Sequence, residues 1–200
     1  MCTNLSIISR LPEMVHNLKN EMVKQYCLEL RNKGLALKVT EKISEDVLCV
    51  GELSQLSDND RWILDELHQI LFQPKADCVK LFQRLYKDRI LYVSSTYSSG
   101  SRESSYVKYS SINSYEFGQL VTFVKLVHDQ PEYFAVIHRL QTSPAFQTNV
   151  VDISHVHQIH PPHIGVDVVP IDKLVTVLFK VPLNDNNNYV VEPLNEFELE

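Results

Sequence analysis

The stretch EFGQLVTFVKLV (116–127), followed by HDQPE (128–132) and YFAVIHRL (133–140), decides the fold of this chain. Its two outer segments are rich in aliphatic, β-branched and aromatic residues, a composition typical of strands. The five residues between them include Pro131, which has no N–H group to donate and suits a longer hairpin loop. The stretch therefore predicts a β-hairpin at the centre of the core.

Regular alternation along the first of these strands predicts two apolar faces, because successive side chains of a strand point to opposite faces of the sheet. The alternation gives two sets: Val121, Phe123 and Val127 on one face, and Leu120, Val124 and Leu126 on the other. A strand that is apolar on both faces is suited to burial on both sides, as in a small barrel.

Apolar and aromatic runs separated by turn residues continue on both sides of this hairpin and predict further short strands. They cover residues 89–97, 104–110, 150–159, 164–169, 174–181 and 189–191. Six to eight short strands at this spacing are typical of a small barrel or sandwich. Residues 88–200 are therefore predicted to form a compact, mostly antiparallel β-barrel domain.

The first part of the chain shows a different pattern. Apolar residues recur at three- and four-residue steps over 11–34, which predicts a helix. A second helix is predicted from Ser57, which can cap it, to the residue before Pro74, and a short third helix over 76–86. Only 47–50 reads there as a strand. The sequence thus predicts an α+β chain with a helical region 1–87 and a β-barrel domain 88–200.

Charge and composition limit the classes of function. Residues 1–87 contain 12 basic and 12 acidic residues, and residues 88–200 contain 7 and 13. Binding of nucleic acid depends on neutralising phosphates with Lys and Arg, so residues 88–200 are predicted to favour a basic protein segment instead. No apolar run has the length of a membrane span. Four widely spaced cysteines without a CxxC pair, Cys2, Cys27, Cys49 and Cys78, indicate reduced thiols and an intracellular protein.

Tyrosines form the first candidate site. Rings at a barrel end can bind a methylated ammonium through cation–π attraction, with a nearby carboxylate adding charge. The candidates for such an aromatic cage are Tyr92, Tyr97, Tyr106, Tyr115 and Tyr133. The alternative is that these tyrosines fill half-buried strand positions, as tyrosines often do.

Four histidines within nine residues form the second candidate site, and His155, His157 and His160 are its potential metal ligands. His155 and His157 would share one face of a strand, a geometry that metal sites use. This His-x-His pair resembles the cupins, a β-barrel family of metal enzymes. The cupin pattern continues with a Glu shortly afterwards, whereas Gln158 and Ile159 follow here. The alternative is a polar strand edge with solvent-facing imidazoles.

Several short motifs carry a resemblance to a known group of proteins. They are Tyr97, RESSYV (102–107), FGQ (117–119), VPIDKL (169–174) and YVVEPLNEFE (189–198). On these motifs, residues 86–200 resemble the C-terminal, non-catalytic part of transposase-like and transposon-derived animal proteins. The resemblance implies an SH3-like or BAH-like β-barrel. A transposase core needs separated Asp and Glu ligands for divalent metal on a domain larger than residues 1–87, so the resemblance implies a remnant without transposition chemistry.

Three hypotheses of function follow. The first is a non-enzymatic interaction module, transposase-derived and without a cofactor, that binds protein, with basic chromatin tails as candidate partners and the nucleus as a candidate compartment. The second is a small cupin-like metal-binding barrel or metal-dependent enzyme that uses the histidines at 155–163. The third is a fragment that packs beside a lost catalytic core. The sequence defines no oligomeric state.

Overall fold

A computed structural model of the chain describes residues 39–70, 75–97, 105–112, 114–145, 155–184 and 187–193. All of them belong to one compact unit, Lys38–Glu200. They form twelve β-strands and one α-helix, and every strand pairing among them is antiparallel. The described part of the chain is therefore predominantly antiparallel β. The mostly antiparallel strands predicted from the sequence are confirmed, whereas one short helix among the described residues does not make a clear α+β fold.

A four-stranded sheet contains the first described strands. Its order is β1 (Val39–Lys42), β2 (Val47–Val50), β5 (Arg84–Lys87) and β6 (Ile90–Val93). Asp88 and Arg89 join the last two strands, with φ angles of 51° and 67°. Two successive positive φ angles are the geometry of a tight two-residue hairpin turn. The predicted strand 47–50 is confirmed as β2.

The described residues contain one α-helix, α1 (Arg61–Ile70). A capping box precedes it, in which the Ser57 backbone N–H donates to Asp60 Oδ2 at 3.3 Å. Ile63 and Leu67, four residues apart, are fully buried against the sheet. The helix predicted from Ser57 is therefore confirmed within these bounds.

The remaining strands form an eight-stranded sheet that contains the predicted central hairpin. In spatial order they are β3 (Ser54–Gln55), β4 (Val79–Phe82), β8 (Tyr115–Leu126), β7 (Tyr106–Ser110), β11 (Leu174–Asn184), β12 (Asn187–Val191), β10 (Val156–Pro170) and β9 (Glu132–Pro144). β8 and β9 pair along most of their length, so the predicted central hairpin is confirmed.

Six of these strands close a circuit, because β8 pairs with β9 as well as with β7. One buried or half-buried residue from each strand packs in a common cluster inside it: Tyr106, Phe117, Leu140, Ile159, Leu178 and Val190. We call strands β7 to β12 the ring. β3, β4 and the four-stranded sheet lie outside this circuit, so the fold is not a clean barrel.

Val121 interrupts the alternation of β8. The pairing register between β8 and β9 shifts at this residue, as expected of a β-bulge with one extra residue. As a result, Leu120 and Phe123 belong to one core cluster, whereas Val121 and Val124 belong to another. The expectation that Val121 and Phe123 share a face is therefore wrong.

The described residues before position 88, which are 39–70 and 75–87, differ from the helical region predicted over 1–87. Residues 76–86 form a single 3-10 turn, Ala76–Cys78, followed by β4 and β5. Pairing of β4 with β8 and of β5 with β2 and β6 buries this segment as strands, and such tertiary context overrides a local helical pattern. The helix predicted over 11–34 lies outside the described residues.

The strands predicted over 89–97 and 104–110 lie in different sheets. β6 pairs with β5 in the four-stranded sheet, and β7 pairs with β8 and β11 in the other. The β5–β6 hairpin spans the predicted domain boundary between residues 87 and 88, and the β4–β8 pairing also joins strands from either side of it. Both sheets are therefore built from residues on the two sides of that position.

Candidate functional site

Lys108 of β7 lies at one end of the ring. Tyr106, two residues earlier, belongs to the cluster inside the ring, and residues two apart in a strand share a face. Lys108 is also paired in register with Phe117 of β8, which packs on that cluster. The Lys108 side chain therefore points toward the interior of the ring, and only 18% of its surface is exposed.

Glu192 holds this ammonium group. It follows β12, two residues after Val190 of the inner cluster. Lys108 Nζ donates to Glu192 Oε2 at 2.6 Å, and His157 Nε2 lies 3.2 Å from Glu192 Oε1. The carboxylate thus connects an ammonium on β7 to an imidazole on β10, and charge-assisted hydrogen bonds of this kind are the strong ones.

Two aromatic rings complete the arrangement. Lys108 Nζ lies 4.6 Å from the ring centroid of Tyr115 and 6.0 Å from that of Phe117. The Phe117 ring packs on His157, with 4.3 Å between their centroids. Ring faces attract cations at such distances. We call Lys108, Tyr115, Phe117, His157 and Glu192 the Lys108 cluster.

The carboxylate and the two aromatic rings of the Lys108 cluster form a site that binds an ammonium group. The ammonium group that occupies it is the side chain of Lys108 itself. The sequence pointed to Tyr115 and His157 but missed Lys108 and Glu192. The sequence does contain one local indication of Lys108. It lies two residues after Tyr106, so in a strand the two side chains share a face. Glu192 lies 84 residues from Lys108, and no local pattern pairs the two.

The five tyrosines predicted to form one cage lie in different parts of the structure. Four of them, Tyr97, Tyr106, Tyr115 and Tyr133, each have a different cation of this chain over the ring, at 4.6 to 5.7 Å from the centroid. These cations are Arg84, Lys180, Lys108 and Lys125 respectively. The fifth, Tyr92, is fully buried in the core, where burial raises the pKa of its hydroxyl. Each ring therefore serves a separate local contact.

The three candidate histidines also have separate surroundings. His155 is half-buried in the turn before β10, and His157 belongs to the Lys108 cluster. His160 Nε2 is hydrogen-bonded to Ser143 Oγ of β9 at 2.7 Å. Within the described ranges, no group of three or more His, Cys, Asp or Glu side chains is placed to hold a metal ion. Metal binding by these histidines stays a hypothesis.

Charge is distributed unevenly after residue 88. Three cations, Lys108, Lys125 and Arg139, form ion pairs with Glu192, Glu41 and Asp167. Four carboxylates, Glu116, Asp129, Glu132 and Asp172, form no ion pair with any described residue. The other described cations after residue 88 are the exposed Arg89 and Lys173 and the half-buried Lys180, whose Nζ lies over the Tyr106 ring. Internal pairing therefore leaves this surface acidic.

In the part of the chain that the structure describes, the strands define a predominantly antiparallel β protein with a closed circuit of strands. No protein-family model, no curated protein and no solved structure matches it. The described helix α1 has ten residues, and no helix in this part of the chain is long and apolar enough to cross a membrane.

Proposed function

We propose that the protein is a non-enzymatic interaction module that binds a basic segment of another protein. The observation that carries this proposal is the charge distribution, in which cations are used in internal ion pairs while four carboxylates have no described ionic partner. A surface with this imbalance attracts a positively charged partner and repels a nucleic-acid backbone.

The turn between β7 and β8 is the proposed contact point. Ile112 is 95% exposed and Tyr115 is 59% exposed, although both are large and apolar. Glu116 follows Tyr115 in the sequence, and its Oε1 accepts a hydrogen bond from Ser114 Oγ at 3.1 Å. An exposed apolar and aromatic pair next to a carboxylate suits a peptide that carries both a basic and an apolar side chain, because aromatic residues are enriched at protein interfaces.

The resemblance to transposase-derived proteins adds to this proposal. Residues 86–200 resemble a non-catalytic segment, which is compatible with a binding role rather than an enzymatic one. Basic tails of chromatin proteins carry the required charge and are the candidate partners, which would place the protein in the nucleus. This origin and this compartment are parts of the proposal, and the charge of the surface is its physical basis.

The experiment compares two labelled peptides of equal length, one rich in Lys and Arg and the other rich in Asp and Glu. Fluorescence anisotropy measures their binding to the full chain at low and high salt. We expect the basic peptide to bind at least about tenfold more tightly at low salt, a difference of about 1.4 kcal/mol. Its affinity is expected to fall at high salt because exposed charges are screened.

Two variants locate the contact. The double variant Ile112→Ser/Tyr115→Ala removes the exposed pair beside Glu116 and is expected to weaken binding. Val127→Ser is the matched control, because Val127 is also exposed, by 40%, but lies after the other end of β8. Equal affinity for both peptides would refute the proposed function. Equal weakening by the two variants would refute the contact point alone.

A further inference from the structure

Arg84 is a buried cation whose guanidinium is not paired with any described carboxylate. It lies on β5, and only 9% of its surface is exposed. Among the described residues, its guanidinium makes no hydrogen bond or ion pair, and its one polar contact is the face of the Tyr97 ring, 4.7 Å from the guanidinium carbon to the centroid. Buried charges in proteins are normally paired. Arginine does not lose its proton in proteins, so this charge persists.

The strand register fixes the position of the guanidinium. Arg84 is paired with Val50 of β2 and with Val93 of β6. The chain turns away immediately after both neighbours, at Gly51 and Ser94. Arg84 therefore lies between the C-terminal ends of β2 and β6, at the point where both chains leave the sheet.

Gly51 makes room for it. Its φ angle is +97°, a backbone conformation that other residues rarely adopt. A Cβ atom at this position would lie 3.1 Å from an Arg84 terminal nitrogen and 3.6 Å from Nε. The glycine thus allows the guanidinium to lie directly against the main chain.

Hydrogen bonds of the turn that precedes it fix the position of Tyr97. The turn 94–97 is fixed by backbone hydrogen bonds from Ser94 to Gln83 and from Tyr97 to Ser94. Thr96 Oγ1 also lies 3.1 Å from the Val121 carbonyl oxygen and 2.5 Å from Gln83 Oε1, and either oxygen can accept its one proton. The ring that stacks on Arg84 is therefore positioned before any ligand arrives.

We propose that Arg84, Tyr97 and Gly51 form a binding site for an oxyanion, the phosphate or carboxylate group of a ligand. A guanidinium presents parallel N–H donors that match two oxygens of either group. The Tyr97 ring covers one face of the guanidinium, and no guanidinium nitrogen of Arg84 is among the fully buried, unpartnered polar atoms of the described residues. The sequence predicted that Tyr97 belongs to a cage for a ligand cation, whereas in the structure Arg84 occupies the face of its ring. This proposal does not depend on the basic-partner proposal.

Among the described residues, Glu52 offers a competing explanation. It follows Gly51 and is exposed, and it makes no ion pair with Arg84. A side-chain rotation in solution could bring its carboxylate to the guanidinium. In that case, Glu52→Gln would lower the stability of the protein, and added anions would have no effect on the wild type. This pair of results would overturn the proposal.

The test titrates the full chain with sodium phosphate or sodium acetate, with sodium chloride holding ionic strength constant. Melting temperature and the Nε–Hε NMR signals of arginine are recorded. We expect a saturable rise in melting temperature and a shift of one arginine signal, which Arg84→Lys identifies by its loss. The stronger of the two responses tells which oxyanion the site prefers. The absence of any saturable response in both measurements would overturn the proposal.

Variants separate the site from general charge effects. Arg84→Met should weaken anion affinity by about tenfold or more, because the charged donors are removed. Arg89→Gln removes an exposed cation five residues away and should leave the affinity unchanged. An unchanged response in Arg84→Met would also overturn the proposal. If Arg84→Met does not fold, the shift of the Arg84 signal in the wild type decides the question alone.

Discussion

Lys125 and Glu41 join the two sheets through a short ion pair. Lys125 Nζ lies 2.6 Å from both carboxylate oxygens of Glu41, and the Tyr133 hydroxyl donates to Oε1 of the same group at 2.9 Å. Glu41 belongs to β1 of the four-stranded sheet, whereas Lys125 and Tyr133 belong to the central hairpin β8–β9 of the other. One carboxylate therefore fixes both strands of the hairpin to the first described strand.

Removing this carboxylate charge should destabilise the whole fold. The Lys125 side chain is only 13% exposed, and in Glu41→Gln it loses its charged partner. We expect a loss of about 1.5–3 kcal/mol in the free energy of unfolding, the range for hydrogen bonds to charged groups. Urea unfolding of both proteins measures it. Glu45→Gln is the control, because Glu45 is exposed in the following turn; equal stabilities of Glu41→Gln and wild type would contradict the prediction.

The same carboxyl predicts a dependence on pH. Burial opposes its ionisation, but the hydrogen bonds from Lys125 and Tyr133 outweigh burial and hold the pKa of Glu41 below its usual value of 4.5. A group with a lowered pKa in the folded state stabilises the fold above its unfolded pKa, and this contribution is lost as pH falls through the folded pKa. The stability difference between wild type and Glu41→Gln should therefore be largest at neutral pH and shrink below pH 4.5. Urea unfolding across this range checks it, and a constant difference would be evidence against an ionised Glu41.

Part of this fold could be predicted from local sequence. The composition of β8 and β9 identified the central hairpin, and Ser57 with Asp60 identified the start of α1. The bulge at Val121 could not be predicted, because it depends on the register between two strands, whereas each strand alone shows plain alternation. Residues 76–86 read as a helix for the same reason, since their strand partners lie elsewhere in the chain.

The candidate sites show the same limit more strongly. Tyr115 and Tyr97 were identified as aromatic residues near charge, but the charges that they contact are Lys108 and Arg84. Local composition gives the residue types that can bind a cation. It does not reveal that the fold already supplies a cation to each ring, which depends on pairing between distant strands.

Burial predicts a contrast between two cysteines. Burial, with a smaller contribution from Glu41, raises the pKa of Cys49 to about 11. Because the thiolate is the reactive form, we expect the Cys49 thiol to react with iodoacetamide far more slowly than the half-buried Cys78. Mass spectrometry of tryptic peptides measures both rates. In urea the two rates should become similar, and equal rates in the folded protein would contradict the burial of Cys49.

His157 is predicted to act through its contacts in the Lys108 cluster. His157→Ala removes a hydrogen bond to Glu192 and the ring that packs on Phe117. We expect a loss of about 1–3 kcal/mol in the free energy of unfolding, measured by urea unfolding. His155→Ala, which changes the half-buried histidine before the strand, is the comparison and should cost less.

Metal analysis of the same proteins tests the alternative reading of these histidines. If the wild type holds about one zinc or iron per chain, and if His157→Ala loses it, the metal-binding hypothesis gains direct support. Lys108 and Glu192 would then lie within that metal centre or beside its ligands. Our expectation is that the His157→Ala effect on stability is present without any metal in the wild-type protein.

Gly118 should be among the most sensitive positions of the hairpin. It is buried on β8, opposite Arg139 of β9. A Cβ atom there would overlap the Ile137 side chain and lie 2.9 Å from the backbone oxygen of His138. The clash involves main chain as well as a buried side chain, so Gly118→Ala should lower the free energy of unfolding by about 1–3 kcal/mol or more.

Gly165 provides the matched control on β10, since it also pairs with Arg139 of β9. A Cβ atom at Gly165 would meet only an Arg139 terminal nitrogen, at 3.6 Å, which is an ordinary contact. Gly165→Ala should therefore change stability by less than about 0.5 kcal/mol in either direction. Urea unfolding of the two variants beside wild type gives the comparison. If Gly118→Ala is as stable as wild type, the prediction is wrong, and β8 and β9 lie farther apart at residue 118 than this structure places them.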